Sequence, residues 1–243
     1  MDKKYEPTTA IIVRSKNDQQ YISRLLDVIK KARETYSGRI DMVFVDTESH
    51  DATPDHARQF GASVVSISQN KFTYPKSLNI GLSSIAEDVE AAFLTVGHAV
   101  PTSSNFIKSG VRHFKDPKVS GVYGITVPDD TASRTEKLFA AHYKNEVRNI
   151  SHVSMGVFGA TNAMIRMAAW REHPFDETFA GGGEDTEWAR QALKRGESII
   201  FESGLNVRHS HGLGPIGSVR QWLHWRKVFR GPTALERSKL TNK

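Results

Sequence analysis

The residues best suited to chemistry are two adjacent carboxylates, Glu184 and Asp185, which directly follow the glycines at 181–183. Small and apolar residues continue behind them at helical spacing, and Gly196 is a typical end of a helix, so a helix is predicted to begin at the pair. A helix N-terminus favours negative charge, which predicts that Asp185 stays ionised at neutral pH. A positioned, ionised carboxylate can act as a general base. The alternative is a solvated acidic helix end that serves only the helix dipole.

The elements that must position this pair alternate between short apolar runs and amphipathic windows. Strands are predicted at 9–13, 41–45, 63–67, 91–96, 121–127 and 198–202, with a strand-like stretch at 154–166. Helices are predicted at 20–31, 54–60, 75–86, 105–114, 134–149 and 218–230. Strands that alternate with helices favour an α/β fold with a mostly parallel central sheet. Ligands of such sheets bind beyond the carboxyl ends of the strands.

Polar residues stand at the ends of the first two predicted strands. Arg14 and Asn17 belong to a basic, amide-rich loop after the first strand, which can hold a diphosphate or a base. Asp46 ends the second strand and can accept hydrogen bonds from a base or a ribose. Asp51 follows in the next turn, where it can do the same or cap the following helix.

A second polar group, Lys76 and Asn79, belongs to the helix before the fourth strand. Lys76 stands near the start of that helix, where it can meet a phosphate. The alternative for this residue is an ordinary exposed lysine, and the sequence leaves both open.

Three histidines are candidate ligands for a metal or a substrate. His98 follows the fourth strand and a glycine, so it can face a ligand, although an imidazole bonded to the backbone is the alternative. His209 and His211 lie two residues apart and point the same way in an extended segment. Two imidazoles with a carboxylate can bind Mn²⁺, Fe²⁺ or Zn²⁺, but this spacing is not diagnostic by itself.

Composition narrows the class of protein. The chain has 243 residues, a formal net charge of +6 and no cysteine, which predicts one globular domain without disulfides or thiolate metal sites in a reducing cytoplasm. The charge suits anionic small molecules or an acidic lipid surface, and the absence of a long basic run argues against nucleic acid. No apolar run reaches the roughly 20 residues of a spanning helix, and the N-terminus has no apolar signal region. We predict a cytoplasmic protein that is at most peripheral to a membrane.

The sequence lacks the motifs of several common enzyme classes. It has no H-E-x-x-H, no P-loop, no G-x-S-x-G, and no G-x-G-x-x-G after the first strand. These absences argue against a zinc protease, a P-loop enzyme, an α/β-hydrolase and an ordinary dinucleotide-binding domain.

Five segments in order resemble the family 2 glycosyltransferases, which have the nucleotide-diphospho-sugar transferase fold of A-type glycosyltransferases. The segments are 11–17, 45–53, 72–81, 93–101, and the pair 175–177 and 182–187. The resemblance covers roughly residues 8–212 and implies a three-layer sandwich around the central sheet. No single segment is decisive, and the order of all five carries the resemblance.

The resemblance implies an inverting transfer of a sugar from a nucleotide-diphosphate donor to a hydroxyl acceptor. Asp185, with Glu184 beside it, would deprotonate the acceptor, and Asp46 and Asp51 would hold the nucleoside. Arg14 and Lys76 would reach the base or the phosphates. The full set of predicted donor-binding residues is Arg14, Asn17, Asp46, Asp51, Lys76, Asn79 and His98.

One segment departs from the family pattern. The usual Asp-x-Asp is replaced by Gly97-His98-Ala99, as in a rhamnosyl-transferase-like subset with His-Ala before Pro. Either His98 with His209 or His211 holds a cation such as Mn²⁺ or Mg²⁺, or His98 binds the diphosphate directly and the cation is dispensable. Metal binding by these three histidines is the prediction.

The chain is predicted to contain a glycosyltransferase domain, 1–217, and a basic helical extension, 218–243, that carries tryptophan. Such a helix can lie on an anionic membrane, or pack on the domain or on a second subunit of a homodimer. The acceptor is a glycan, a lipid-linked sugar or a small molecule. Two other functions compete: a degenerate sugar-nucleotide-binding module without turnover, and a nucleotidyltransferase. The latter is disfavoured because the loop at 14–17 has no glycine.

Overall fold

The computed structural model describes residues 5–130, 132–134, 147–151 and 158–210, with the single positions 137, 217, 220 and 223. Its strands are β1 Thr9–Ser15, β2 Ile40–Asp46, β3 Ser63–Ser66, β4 Ala91–Val96, β5 Val100–Pro101, β6 Val119–Tyr123, β7 Thr126–Val127, β8 Val147–Ile150, β9 Ala163–Arg166, β10 Ser198–Glu202 and β11 Val207–Arg208. Its helices are α1 Gln19–Thr35, α2 Thr53–Gln59, α3 Tyr74–Ser83, α4 Phe106–Val111, α5 Met167–Glu172 and α6 Glu184–Lys194.

The large sheet has the strand order β3-β2-β1-β4-β9-β6-β10-β8. The pairs β2–β3, β1–β2, β1–β4 and β6–β10 are parallel. Strand β9 runs antiparallel between β4 and β6, and β8 is antiparallel to β10 at the edge. The predicted α/β fold with a mostly parallel central sheet is therefore confirmed.

Apolar clusters lie on both faces of this sheet, because successive residues of a strand point to opposite sides. On β1, Ile11 packs in one cluster with Leu25 of α1. Its neighbour Ile12 packs in the other cluster with Leu78 of α3 and Trp188 of α6. Helices thus cover the two faces of the sheet, which gives the three layers expected from the resemblance.

A small second sheet, in the order β5-β11-β7, joins distant parts of the chain. Val207 pairs with Pro101 of β5 and with Thr126 of β7. Because β5 begins shortly after His98 and β11 ends just before His209, this pairing brings the two histidines to the same place.

Two sequence predictions of secondary structure are wrong. The end of the helix predicted at 134–149 is instead β8, which pairs antiparallel with β10. The segment predicted as one strand at 121–127 is divided between β6 and β7, which belong to different sheets. The break falls at Gly124, where an added Cβ would lie 2.4 Å from the backbone carbon of Leu205. Only a glycine allows the two backbones to approach so closely.

Several predicted segments fall partly or wholly outside the described residues. Of the strand-like stretch at 154–166, the structure has Ala163–Arg166 as β9 and does not describe 152–157. The C-terminal helix is described only at 217, 220 and 223, which are helical. The predicted boundary between 1–217 and 218–243 lies in this part of the chain. Among the helices of the described residues, none is long and apolar enough to cross a membrane.

Candidate active site

A cleft of about 220 Å³ opens where β1, β2 and β4 end, at the carboxyl edge of the sheet. The residues of its lining that bear on chemistry are Arg14, Lys16, Asp18, Thr47, Tyr74 and His98. Arg14 and His98 are thus together, as the positions of their strands predict. Lys16 and Asp18 belong to the loop after β1, and Thr47 directly follows β2.

The imidazole of His98 contacts a buried carboxylate. Its Nδ1 lies 2.9 Å from Oδ1 of Asp18, whose side chain is only 7% exposed. The other oxygen of Asp18 accepts a hydrogen bond from the backbone N–H of Lys16 at 3.3 Å. Gly97 permits this packing, since an added Cβ would lie 2.3 Å from Asp18 Oδ2. A glycine is therefore needed before His98, because any side chain there would collide with Asp18.

The predicted metal site does not assemble from the histidines that the structure describes. The rings of His98 and His209 are stacked, with centroids 4.8 Å apart and planes inclined by 27°. A ligating nitrogen aims its in-plane lone pair at a metal roughly 2.1 Å away, and two nearly parallel rings do not aim at one point. No group of three His, Asp or Glu that could hold a metal occurs among the described residues. His211 lies outside them.

The two aspartates of the second predicted loop are occupied by nearby donors. Asp46 is buried, and its two oxygens accept hydrogen bonds from Oγ and N–H of Ser49 at 2.6 and 3.1 Å. Asp51 accepts from the backbone N–H of Gln19 at 3.1 Å and of Thr53 at 3.0 Å. For Asp51 the helix-capping alternative describes the contacts, because these donors lie at the starts of α1 and α2.

The two predicted donor-binding amides also make internal hydrogen bonds. Oδ1 of Asn17 accepts from the backbone N–H of His50 at 2.8 Å, which ties the first loop to the second. Nδ2 of Asn79 donates to the carbonyl of Phe175 at 2.8 Å, and its Oδ1 accepts from Nε1 of Trp170 at 3.2 Å. Asn79 therefore joins α3 to the segment before α6, and its contact with a donor stays a prediction.

Aromatic residues of the cleft were missed by the sequence reasoning. Tyr74 stands at the start of α3 and is 38% exposed, with the ring of Phe72 5.5 Å away, edge to face. The guanidinium of Arg14 lies 5.4 Å from the Tyr74 ring centroid. Lys76 is in the same first turn, and its backbone N–H donates a hydrogen bond to Oγ1 of Thr73, the N-cap residue. The two aromatic residues in the segment 72–74 are the sequence feature that could have identified this part of the cleft.

The acidic pair begins α6, as predicted. Gly182 and Gly183 have φ of 107° and 91°, a left-handed conformation that glycine adopts without strain. Asp185 is half-buried and accepts hydrogen bonds from the backbone N–H of Ala160 at 2.8 Å and of Thr186 at 2.7 Å. Its carboxyl group therefore has a fixed orientation.

The electrostatics of the pair differ from the sequence prediction. Burial raises the pKa of Asp185, although the two N–H donors and the charge of Arg14 oppose the shift. Burial, followed by the charge of Asp185, raises the pKa of Glu184 to about 8, and Arg14 again opposes. The prediction that Asp185 stays ionised at neutral pH considered only the helix N-terminus, and burial of this helix end acts against ionisation.

Arg14 connects the two halves of the site. It lines the cleft beside His98, and its charge acts on both Glu184 and Asp185. Its register on β1, opposite Val45 of β2 and Val96 of β4, places it in the middle of the carboxyl edge. Arg14 therefore brings the acidic pair within electrostatic range of the cleft.

A strained residue supports the acidic helix. Phe158 has φ of 66°, is fully buried and stacks on Trp188 of α6 at 5.7 Å. A bulky residue at positive φ is costly and persists only where its surroundings hold it. This conformation sets the path of the chain to Ala160, whose N–H orients Asp185. No sequence signal marked Phe158.

A sequence model of the family described as Glycosyl transferase family 2 matches residues 10–173, more than half of the chain. The chain belongs to glycosyl transferase family 2. The match spans β1 to α5 and so includes the cleft, but it ends before Glu184 and Asp185. The enzyme class predicted from the sequence, a glycosyltransferase, is confirmed at the level of the family.

This family 2 chain is similar in sequence or in fold to known glycosyltransferases. The O-antigen chain rhamnosyltransferase RfbN of Salmonella typhimurium is 23% identical over 215 residues, which are 84% of this chain and 67% of that protein. The mannosyltransferase PcManGT of Pyrobaculum calidifontis, solved with GDP-Man and Mn²⁺, is 18% identical with a TM-score of 0.65. The match covers 95% of this chain but 66% of PcManGT, just under two thirds of its length.

A third relative is the glucosyl-3-phosphoglycerate synthase of Mycobacterium tuberculosis, in complex with phosphoglyceric acid. It is 16% identical, with a TM-score of 0.63 over 95% of this chain and 83% of that one. These likenesses confirm the predicted A-type glycosyltransferase fold.

The raised pKa of Glu184 predicts a pH-dependent stability. A carboxyl whose pKa is higher in the folded state stabilises the protein below its unfolded pKa, and that stabilisation is lost as the pH rises through about 8. Glu184→Gln imitates the protonated form. We expect the variant to gain about 2 kcal/mol on the wild type between pH 5 and 8.5, or roughly 4 to 8 °C in melting temperature.

The measurement is thermal unfolding of both proteins across this pH range. Glu34→Gln, at an exposed position on α1, is the matched control and should follow the wild type. Parallel curves for Glu184→Gln and the wild type would show that the buried carboxyl does not titrate as described.

Proposed function

We propose that this family 2 chain transfers a sugar from a nucleoside-diphosphate donor to a hydroxyl acceptor, with inversion at the anomeric carbon. The observation that carries the proposal is the position of Arg14, which lines the cleft and acts electrostatically on the acidic pair. A donor in the cleft would therefore have its reacting end near a carboxylate that can take a proton.

Asp185 is the general base of this mechanism. The acceptor oxygen attacks the anomeric carbon, its proton passes to Asp185, and the bond from that carbon to the diphosphate oxygen breaks. Burial makes Asp185 a stronger base once it is ionised, because its raised pKa increases its affinity for the proton. Glu184, whose pKa is raised to about 8, would be neutral at lower pH and would leave the role of base to Asp185.

The leaving group requires positive charge, because the diphosphate gains charge as the bond breaks. Arg14 and Lys16 line the cleft and supply it. The aromatic rings of Phe72 and Tyr74 offer apolar faces for the base or the sugar. Asp46 stays a candidate for the nucleoside, since each carboxylate oxygen can accept a second hydrogen bond beside the one from Ser49.

A sugar-nucleotide-binding module without turnover is the second candidate. The replacement of Asp-x-Asp by Gly97-His98-Ala99 favours it, whereas the acidic pair at the start of α6 opposes it. The two functions differ in one result: the module would bind a nucleotide and release no nucleoside diphosphate from any donor.

The partners of this proposal are a nucleotide-sugar donor and a hydroxyl acceptor. The likeness to a rhamnosyltransferase supports a deoxyhexosyl donor, and that to a mannosyltransferase supports a hexosyl one. The acceptor belongs to a glycan, a lipid-linked sugar or a small molecule of the cytoplasm. A peripheral contact of the C-terminal segment with a membrane would suit a lipid-linked acceptor.

A thermal-shift panel with UDP, GDP, CDP and dTDP tests the donor site. A ligand at about 100 times its Kd stabilises the folded state by roughly 2.7 kcal/mol, or about 5 to 10 °C for a domain of this size. We expect one base to give the largest rise, and inorganic phosphate at equal concentration to give almost none. If none of the four nucleotides raises the melting temperature, the proposed function fails.

A further inference from the structure

The donor set at the end of β4 is unsuited to a divalent metal. Mg²⁺ and Mn²⁺ favour carboxylate oxygens, and residues 97–99 contain none. The nearest carboxylate is Asp18, one of whose oxygens lies 2.9 Å from Nδ1 of His98. The other oxygen of Asp18 lies beside Gly97 and accepts a hydrogen bond from the backbone N–H of Lys16. Asp18 is therefore engaged in fixing an imidazole.

We propose that the diphosphate of the donor is bound directly by the side chains of His98, Arg14 and Lys16, and that this binding requires no divalent cation. The inference rests on the proposed function and concerns how the same site recognises its donor. PcManGT, by contrast, was solved with both GDP-Man and Mn²⁺.

The geometry of His98 supports a direct contact with phosphate. Asp18 holds Nδ1, so the ring has a fixed orientation and Nε2 points away from the carboxylate. Stacking on His209 at 4.8 Å and the ring of Tyr21 at 6.2 Å restrict the imidazole further. Nε2 carries a proton for a phosphate oxygen when both ring nitrogens are protonated, and the hydrogen bond from the imidazolium to the phosphate is then charge-assisted.

The neighbours of His98 in the cleft carry the remaining positive charge. Arg14 has a planar group of donors that matches phosphate oxygens, and its Nε is buried without a hydrogen-bond partner among the described residues. Lys16 lies in the same lining, where its Nζ donates to Gln69. A nucleoside diphosphate supplies the anionic oxygens that such donors require.

Isothermal titration with the nucleotide preferred in the thermal-shift panel tests this inference. The wild type is titrated in excess EDTA and again in excess Mn²⁺, with no change of pH or salt. We expect the two dissociation constants to agree within about twofold. A cation that bridged protein and diphosphate would instead make binding at least about tenfold weaker in EDTA.

Variants at position 98 test the role of the imidazole. His98→Ala should weaken binding about 10- to 100-fold in EDTA, as for the loss of a hydrogen bond to a charged group, and His98→Gln, which keeps an N–H donor, should recover part of this loss. His56→Ala on α2, a histidine outside the lining of the cleft, is the matched control and should bind like the wild type. Unfolding temperatures confirm that the variants are folded. If His98→Ala does not fold, the comparison of His98→Gln with the wild type decides.

Each outcome has one meaning. Equal affinity in EDTA and Mn²⁺, together with weak binding by the position 98 variants, supports the inference. Binding that is lost in EDTA and restored by Mn²⁺ overturns it and leaves the proposed function standing. Metal-independent binding that is unchanged in both variants overturns the assignment to His98. No binding under either condition contradicts the proposed function itself.

Discussion

Asp185→Asn is expected to lower kcat for sugar transfer by about 1000-fold, since a general base contributes roughly 100- to 10,000-fold. The affinity for the donor should change little, because Asp185 acts on the acceptor. The amide still offers one oxygen, which can keep the hydrogen bond from Ala160, but it loses the second acceptor now used by the N–H of Thr186. A modest fall in melting temperature is therefore expected as well.

The measurement combines a transfer assay with titration of the donor nucleotide. Asp55→Asn, an exposed aspartate in the first turn of α2, is the matched control and should keep full activity. Transfer by Asp185→Asn at more than about a tenth of the wild-type rate would remove Asp185 from the role of base.

Arg14→Met is expected to have the second largest effect, and it should appear in two separate measurements. Donor affinity should fall about 10- to 100-fold, because Arg14 lines the cleft and offers charged donors to the diphosphate. The acidic limb of the kcat profile should also move to higher pH. The sign follows from the charge: Arg14 lowers the pKa of Asp185, so its removal raises that pKa and the base ionises later.

Arg14→Lys separates the two effects. It keeps the charge and should leave the acidic limb close to that of the wild type, while the loss of the planar donor group weakens donor binding. Arg24→Met, at an exposed position on α1, is the matched control for the loss of an arginine. An Arg14→Met enzyme with wild-type affinity and an unmoved pH profile would separate the cleft from the acidic pair and contradict the single site.

In the proposed mechanism, Arg14 couples the donor cleft to the acidic pair. The cleft is built by loops after β1, β2 and β4, whereas the acidic pair arrives from α6, far along the chain. Arg14 extends from the strand between them. In the proposed mechanism, the same side chain would therefore interact with the charge of the leaving diphosphate and with that of the base.

Local pattern was sufficient for most of the first half of the fold. The strands β1, β2, β3 and β4 were predicted within three residues at each end, since buried parallel strands are short apolar runs between helices of clear periodicity. The strand β8 was predicted as helix, because Val147–Ile150 is mostly exposed and polar. Only its pairing with β10 makes it a strand, and that partner lies some fifty residues away.

The candidate site likewise combines features that the local sequence predicts with features that depend on packing. The sequence by itself determined that Glu184 and Asp185 begin a helix after glycines, and that Arg14 and His98 follow strands, because these facts depend on neighbouring residues. Only the tertiary structure decided what each side chain meets. Burial of the helix end raises the pKa of Asp185, and the pairing of β11 with β5 stacks His209 on His98. Solvation and long-range contacts are properties of the packed chain, so no local pattern can contain them.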